Sequence, residues 1–242
     1  VRVTTLTVIQ ARTGSTRLPG KVLADIGGKP LLQRVIERAQ TADLGPLTVA
    51  TTARAHDNAI ADLCVMLGVD CYRSSERDVL NRFYRAAVHH QVIEQDDAIV
   101  RVTADCPLLC PELLTSTVMA LDALAVDYVG VNGAPNGLGQ ESMTFGALEE
   151  AWAEAETQHD REHVITYIED RPDDFQVRYV EAEDWMRSRA HWRLTVDDQD
   201  DLDLMRRLFD ATGGELFALD SRAVLEAVEA DAGMLALATR RP

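Results

Sequence analysis

The sequence predicts an α/β fold in which a parallel sheet is covered by helices on both faces. Apolar, β-branched runs alternate with amphipathic helical patterns through most of the chain. Strands that alternate with helices of about 10–14 residues pair in parallel through crossovers that lay a helix on each face. In addition, the densest group of cations follows the first apolar run directly. In parallel sheets ligands bind at the carboxyl ends of the strands, where the loops after Gln10 and Thr103 lie.

Taken in order, residues 3–10 read as a first buried strand. Residues 30–40 read as a helix, with Pro30 suited to its first turn and Leu31, Leu32, Val35, Ile36 and Ala39 on one face. A strand is expected at 47–52, a helix at 57–67 closed by Gly68, and a short strand at 69–72. A helix at 78–90, a strand at 98–103, a helix at 111–124 and a strand at 128–131 follow. Beyond a glycine-rich loop, 130–139, the pattern is less regular. Strands are expected at 141–145, 175–181 and 192–196, and helices at 146–157, 161–169 and 200–211. No internal repeat or linker interrupts the chain, so one domain over 1–242 is expected. Its nucleotide-binding half would be 1–131, and its acceptor-binding and dimerisation half 132–242.

Bulk composition narrows the partners. The 242 residues carry a net charge of −16, which repels nucleic acid phosphates. No apolar run approaches the roughly 20 residues of a membrane span, and residues 1–30 lack the pattern of a secretory signal, so a soluble cytoplasmic protein is expected. Cys64, Cys71, Cys106 and Cys110 show no zinc-type spacing and are expected to be reduced thiols. Residues 1–40 hold seven Lys or Arg against two acids, a basic island that suggests a confined anion site. The only lysines are Lys21 and Lys29, so an ammonium inside that island stands out.

The loop from Ala11 to Lys21 carries three cations, two glycines and three hydroxyls. Glycines let backbone N–H groups approach a ligand, and Arg and Lys neutralise phosphate oxygens, which suits a polyphosphate cradle. A Walker A loop is excluded, because five residues separate Gly14 from Gly20 and Val22 replaces the metal-binding hydroxyl. The dinucleotide fingerprint G-x-G-x-x-G is absent from this loop too. Two acidic loops complete the picture. Asp105 stands just past strand 98–103, and Asp197 just past 192–196. One carboxylate from each could hold Mg²⁺ against triphosphate oxygens. Asp200, Asp201 and Asp203 read instead as helix-start acids.

The run Ile9-Gln10-Ala11-Arg12-Thr13-Gly14-Ser15-Thr16-Arg17-Leu18-Pro19-Gly20-Lys21-Val22-Leu23 resembles the signature loop of the spore-coat-polysaccharide-F-like cytidylyltransferases, relatives of CMP-KDO synthetase. The resemblance continues through Asp78-Val79-Leu80-Asn81-Arg82-Phe83, Arg101-Val102-Thr103-Ala104-Asp105-Cys106-Pro107-Leu108, Arg161-Glu162-His163-Val164 and Arg193-Leu194-Thr195-Val196-Asp197. It implies a Rossmann-like α/β/α sandwich of the nucleotide-diphospho-sugar transferase (GT-A-like) type with a mostly parallel central sheet. It also implies a homodimer, CTP and Mg²⁺. By matching position it implies triphosphate contacts from Arg12, Ser15, Arg17 and Lys21, and an approach to cytosine by Ser75 and Glu76. Asp105 and Asp197 would be the metal carboxylates, and Arg161 and His163 would lie toward the acceptor. Of these, Arg12, Lys21, Asp105 and Asp197 are the candidate catalytic residues.

One segment departs from the resemblance. Relatives commonly show P-D-G-L-D-V-E, whereas this chain reads Pro135-Asn136-Gly137-Leu138-Gly139-Gln140-Glu141. Losing two carboxylates makes a pocket friendlier to a dianion, so a phosphonate or phosphate acceptor stands beside a sugar acid. The expected reaction is CMP transfer from CTP to a small anionic acceptor with release of pyrophosphate. The rivals are a glycosyltransferase using a D-x-D motif, for which Asp198-Gln199-Asp200 and Asp201-Leu202-Asp203 are the candidates, and a non-catalytic CTP-binding subunit.

Overall fold

The structure, a computed structural model, describes residues 4–240. The first strand, β1 (Thr5–Gln10), leads through the cation-rich loop and a short 3-10 turn at Lys21–Leu23 into the small hairpin β2 (Asp25–Ile26) and β3 (Lys29–Pro30). Then come α1 (Leu31–Gln40), β4 (Leu47–Thr52), α2 (Asn58–Leu67), β5 (Asp70–Ser74), α3 (Val79–His89), β6 (Ala98–Thr103), α4 (Pro111–Leu124) and β7 (Tyr128–Asn132). The second half adds β8 (Glu141–Thr144), α5 (Phe145–Glu154), α6 (Gln158–His163), α7 (Thr166–Glu169), β9 (Val177–Glu181), α8 (Asp184–Arg187), α9 (Gln199–Ala211), α10 (Ser221–Glu229) and α11 (Ala232–Thr239). The expected first strand reached back to Val3, which lies outside the described residues.

Seven strands form one sheet in the order β5-β4-β1-β6-β8-β7-β9. β8 pairs antiparallel with both β6 and β7, and the other pairings are parallel. The expected mixed α/β architecture with a mostly parallel sheet is therefore present. From β1 the chain winds outward through β4 to β5 and then returns to place β6 against the other edge of β1. That reversal opens a crevice at the carboxyl ends of β1 and β6, where parallel sheets take their ligands.

Side-chain alternation along β1 builds the layers. Leu6 and Val8 face α3 and α5, packing with Leu80, Phe83, Leu148 and Ala151. Ile9 faces the opposite layer of α1, α2 and α4, with Leu32, Ile36, Ile60 and Leu114. A third core gathers beneath α9, α10 and α11 around Trp192, Leu194 and Val196.

Three expectations need correction. Residues 192–196 do not form a sheet strand. They make a single parallel bridge, Asn136 to Arg193, to which the Leu194 N–H contributes, and the other N–H groups go elsewhere: Arg193 to Ala238 and Val196 to Asp105. Their alternation arises because Trp192, Leu194 and Val196 are buried under the C-terminal helices, not because a neighbouring strand pairs with them. The helix expected over 161–169 is two helices, α6 and α7, broken at Val164, whose φ of 53° is left-handed and incompatible with a continuing helix. Helices α10 and α11 and the hairpin β2–β3 were not anticipated.

Candidate active site

The loop after β1 is tied down by a buried carboxylate. Asp57, fully buried, sits in a short 3-10 turn ahead of α2. Its Oδ1 accepts from the backbone N–H of Thr13 at 2.8 Å and from the Thr13 hydroxyl at 2.7 Å, and its Oδ2 accepts from the Thr52 hydroxyl. Burial opposes ionisation, but these donors outweigh it and hold the Asp57 carboxyl below the ordinary aspartate range. Downstream, the N–H of Gly20 donates back to the Thr13 carbonyl, and that of Leu18 to the Ser15 hydroxyl. Gly20 takes a φ of 74°, which lets the chain turn into Lys21 at no side-chain cost.

That turn aims Lys21 across the crevice. Its Nζ donates to Oδ2 of Asp105 at 2.9 Å and to Oδ1 of Asp197 at 2.9 Å. Arg17 reaches the same Asp197 oxygen at 3.1 Å. Two cations and two carboxylates from three separate segments thus converge at the end of β6. Burial disfavours the charged ammonium, yet the two carboxylates prevail and hold the Lys21 pKa above its ordinary value. For Asp197, burial is likewise outweighed by Lys21 and Arg17, and its pKa falls.

The neighbouring aspartates have other work. Asp198 caps α9 in a capping box with Asp201. Arg193 pairs with Asp198 and Asp201, and Arg240 with Asp198, Asp200 and Asp201. The carboxylates required by a D-x-D reading are therefore spent on a helix start. Asp200 and Asp201 stand in the first turn of α9, as expected of helix-start acids.

Asp105 and Asp197 also fit the donor set of a magnesium ion. Their oxygens converge on one cationic point, and each carboxylate has a second oxygen, with Cys106 Sγ 3.6 Å from Asp105 Oδ1 and the Thr195 hydroxyl 3.4 Å from Asp197 Oδ2. Magnesium takes few protein carboxylates and completes its shell with phosphate and water oxygens. Among the described residues no cluster of three or more His, Cys, Asp or Glu forms, so a closed, all-protein metal cage is not built here.

The other sequence candidates fall in three places. Ser75 is exposed, and Glu76 pairs with Arg54 at 3.2 Å beside Gly14 of the first loop. Arg12 and His163 share a cavity of about 170 Å³ with Glu162, Arg82 and Arg101. Arg161 does not join the 136–140 loop. It donates to the Ala155 carbonyl and lies 3.9 Å from Asp78, on the side of α3. The loop itself borders two adjoining cavities. One, of about 310 Å³, contains Asp105 and Asp197, and the other, of about 390 Å³, reaches Tyr128, Glu169 and Tyr179. Gly139 is confined by space rather than by its backbone conformation, since a Cβ there would stand 3.0 Å from Val131. A further cavity, of about 790 Å³, lies at the opposite end of the sheet beside Thr4 and Asp127, away from these residues.

The basic island divides. Arg12, Arg17 and Lys21 belong to the loop, whereas Arg34 and Arg38 are buried and donate to backbone carbonyls such as Ile26 and Leu109. Sequence reasoning missed Asp57, whose link to Thr13 spans 44 positions, and also the pairing of Arg101 with Glu141. The cross-strand match of β6 with β8 creates that pair, and only knowledge of the sheet order could have revealed it.

A doubly covered, mostly parallel sheet with a cation-rich loop facing two carboxylates at its switch point is a nucleotidyltransferase architecture. The chain belongs to the cytidylyltransferase family, which matches it over residues 6–229. It is 40% identical over 223 residues to an uncharacterized protein of Methanocaldococcus jannaschii, covering 90% of this chain and 88% of that one. It is 32% identical over 242 residues to the spore coat polysaccharide biosynthesis protein SpsF of Bacillus subtilis, covering 94% of this chain and 98% of that one. Among solved structures, a cytidylyltransferase from Leptospira borgpetersenii superposes with a TM-score of 0.85 at 24% identity, over 100% of this chain and 99% of that one. No helix is long and apolar enough to cross a membrane among the described residues.

Proposed function

We propose that this chain transfers CMP from CTP to a small anionic acceptor, a sugar acid or a phosphonate or phosphate, and that it works as a homodimer with Mg²⁺. The carrying observation is the convergence of Lys21 and Arg17 on Asp105 and Asp197 at the sheet's switch point, in a chain of the cytidylyltransferase family. An oxygen of the acceptor attacks the α-phosphorus. A new P–O bond forms, the bond to the bridging oxygen toward the β-phosphorus breaks, and that oxygen leaves with the electron pair as pyrophosphate. Arg12, Arg17 and Lys21 neutralise the departing pyrophosphate, and Ser15 orients the triphosphate within the loop. Asp105 and Asp197 would hold the magnesium ion, which supplies charge stabilisation on the phosphates. Ser75 and Glu76 border the cytosine. Catalysis of this kind rests on positioning and preorganised charge. A phosphonate or phosphate oxygen attacks already ionised and needs no general base, whereas a sugar-acid hydroxyl gives up its proton to water as the P–O bond forms. A relative named for spore coat polysaccharide synthesis supports a carbohydrate-type acceptor, and the two adjoining cavities leave room for one.

The test is a pyrophosphate-release screen of CTP, UTP, ATP and GTP against sugar acids, phosphonates and phosphate esters. Release with CTP and one acceptor class is expected. Comparable turnover with UTP or ATP across several acceptors overturns the CTP assignment. No release with any acceptor, despite CTP binding, returns the chain to a non-catalytic CTP-binding role.

A further inference from the structure

The segment 136–140 is bonded to both of the segments that carry the site's carboxylates. On one side the Asn136 N–H donates to the Trp192 carbonyl at 2.9 Å, and the Asn136 carbonyl accepts from the Leu194 N–H at 2.8 Å, just ahead of Asp197. Gly137 lies so close to that run that a Cβ would stand 2.8 Å from the Leu194 carbonyl. On the other side the Leu138 carbonyl accepts from the Cys110 N–H at 2.9 Å, and the Gln140 side chain reaches the end of β6 beside Asp105. The Val196 N–H donates to the Asp105 carbonyl at 2.8 Å, which joins the two carboxylate segments directly.

Gln140 makes its attachment where the sheet pairing stops. The antiparallel pairing of β6 with β8 ends with Arg101 opposite Glu141. Two residues further along β6, the Thr103 N–H donates to Gln140 Oε1 at 3.2 Å, so a side-chain carbonyl takes the place of a backbone one. Gln140 Nε2 donates to the Gly139 carbonyl, which fixes the orientation of the carboxamide. Gln140 is buried, and both ends of its polar group are used.

Cys106 carries the contact on to the carboxylate. Its thiol lies 3.0 Å from the Thr103 hydroxyl, is hydrogen-bonded to Gln140, and donates to Oδ1 of Asp105 at 3.6 Å. Lys21 holds the other oxygen, Oδ2. Gln140, Cys106, Asp105 and Asp197 border one cavity of about 310 Å³.

We propose that Gln140 is a positioning residue. With Cys106 it orients the Asp105 carboxylate, and the segment 136–140 sets the spacing of Asp105 from Asp197, so that the two meet a divalent cation in one fixed arrangement. Gln140 acts through Asp105 and not by contact with CTP or the acceptor. This assignment rests on the CMP-transfer reading.

The experiment uses the full chain with Mn²⁺ as the cation and a CTP analogue carrying a methylene between the α- and β-phosphorus, with no acceptor present. Free Mn²⁺ is measured by electron paramagnetic resonance. Gln140→Met, which keeps the side-chain length and loses the carboxamide, is made alone and combined with Asp105→Asn, and each protein is also melted thermally. The expected result is Mn²⁺ binding to the analogue complex weakened about tenfold by Gln140→Met, the scale for removing a group that holds a ligating carboxylate. Little further weakening is expected once Asp105→Asn is present, because the two changes act on one path. Mn²⁺ affinity indifferent to Gln140→Met overturns the proposal, whatever the melting temperature does. Equal weakening with and without Asp105→Asn overturns it as well, since the effect then bypasses Asp105. Should Gln140→Met not fold, Cys106→Ala is judged by the same outcomes. Failure of the unaltered chain to bind Mn²⁺ with the analogue instead overturns the CMP-transfer reading.

Discussion

Asp57 holds Thr13 by two hydrogen bonds at once, 2.8 Å to its backbone N–H and 2.7 Å to its hydroxyl, across 44 positions of sequence. A fully buried carboxylate thereby sets the path of the loop that carries Arg12, Arg17 and Lys21. Asp57→Ala should cost about 2–4 kcal/mol, because it leaves Thr13 and Thr52 donors buried without acceptors. The folded-state pKa of Asp57 is depressed. Its contribution is therefore fully present above the unfolded aspartate value, about 3.9, and is lost as pH falls through the lower folded value. Urea melts of wild type and Asp57→Asn should differ at neutral pH and converge in acid. An equal gap at every pH would show that Asp57 is not charged in the folded protein.

Lys21→Ala should lower turnover by roughly 10²-fold or more, the scale for losing one preorganised charge at a developing anion. Lys21→Arg should not restore full activity, since a planar fork cannot take the place of a compact ammonium between two carboxylates. Steady-state rates of pyrophosphate release measure both. Near-wild-type rates for Lys21→Ala would remove its phosphate role.

Asp105→Asn and Asp197→Asn should each abolish magnesium-dependent activity while leaving the fold intact by circular dichroism. Each removes a ligand charge with little change in volume. Loss in the Asp105 variant alone would leave Asp197 as a partner of Lys21 and Arg17 only.

Asn136→Asp should raise the KM for a dianionic acceptor with little effect on that for CTP. The added repulsion is about 1–2 kcal/mol at a surface-like dielectric, or roughly tenfold. Asn136 is exposed at the rim of the cavity holding Asp105 and Asp197, so the new charge needs no burial. Gly139→Asp is a poorer probe, because its Cβ would press on Val131. Should sugar acids prove good substrates and phosphonates inert, the loss of aspartates from this loop carries no preference for a dianion.

The first half of the fold was legible because its strands and helices are bounded by strong local signals. Residues 47–52, 98–103 and 111–124 form elements with the bounds expected of them. Alternation reports one-sided burial, however, and does not say what covers the buried side. That is why 192–196 read as a strand while its N–H groups bond to Ala238, Asn136 and Asp105. Lys21 was legible as a rare lysine in the cation-rich loop, and Asp105 and Asp197 because each stands just past a strand or extended run. Asp57 was not, because its importance lies in its contact with the distant Thr13 and it sits in no telling local pattern.

The extended segment leading to Asp197 is fixed from far along the chain. Arg193 donates its N–H to Ala238, and Arg240 grips Asp198 from 42 positions away. Lys21, in turn, waits 176 positions for Asp197. During vectorial synthesis the cation-rich loop emerges early, but the segment that carries its opposing carboxylate gains its last anchors only with residues 238–240. A nascent chain stalled before that point would hold Asp197 by Lys21, Arg17 and the upstream backbone alone, so this pairing is completed late.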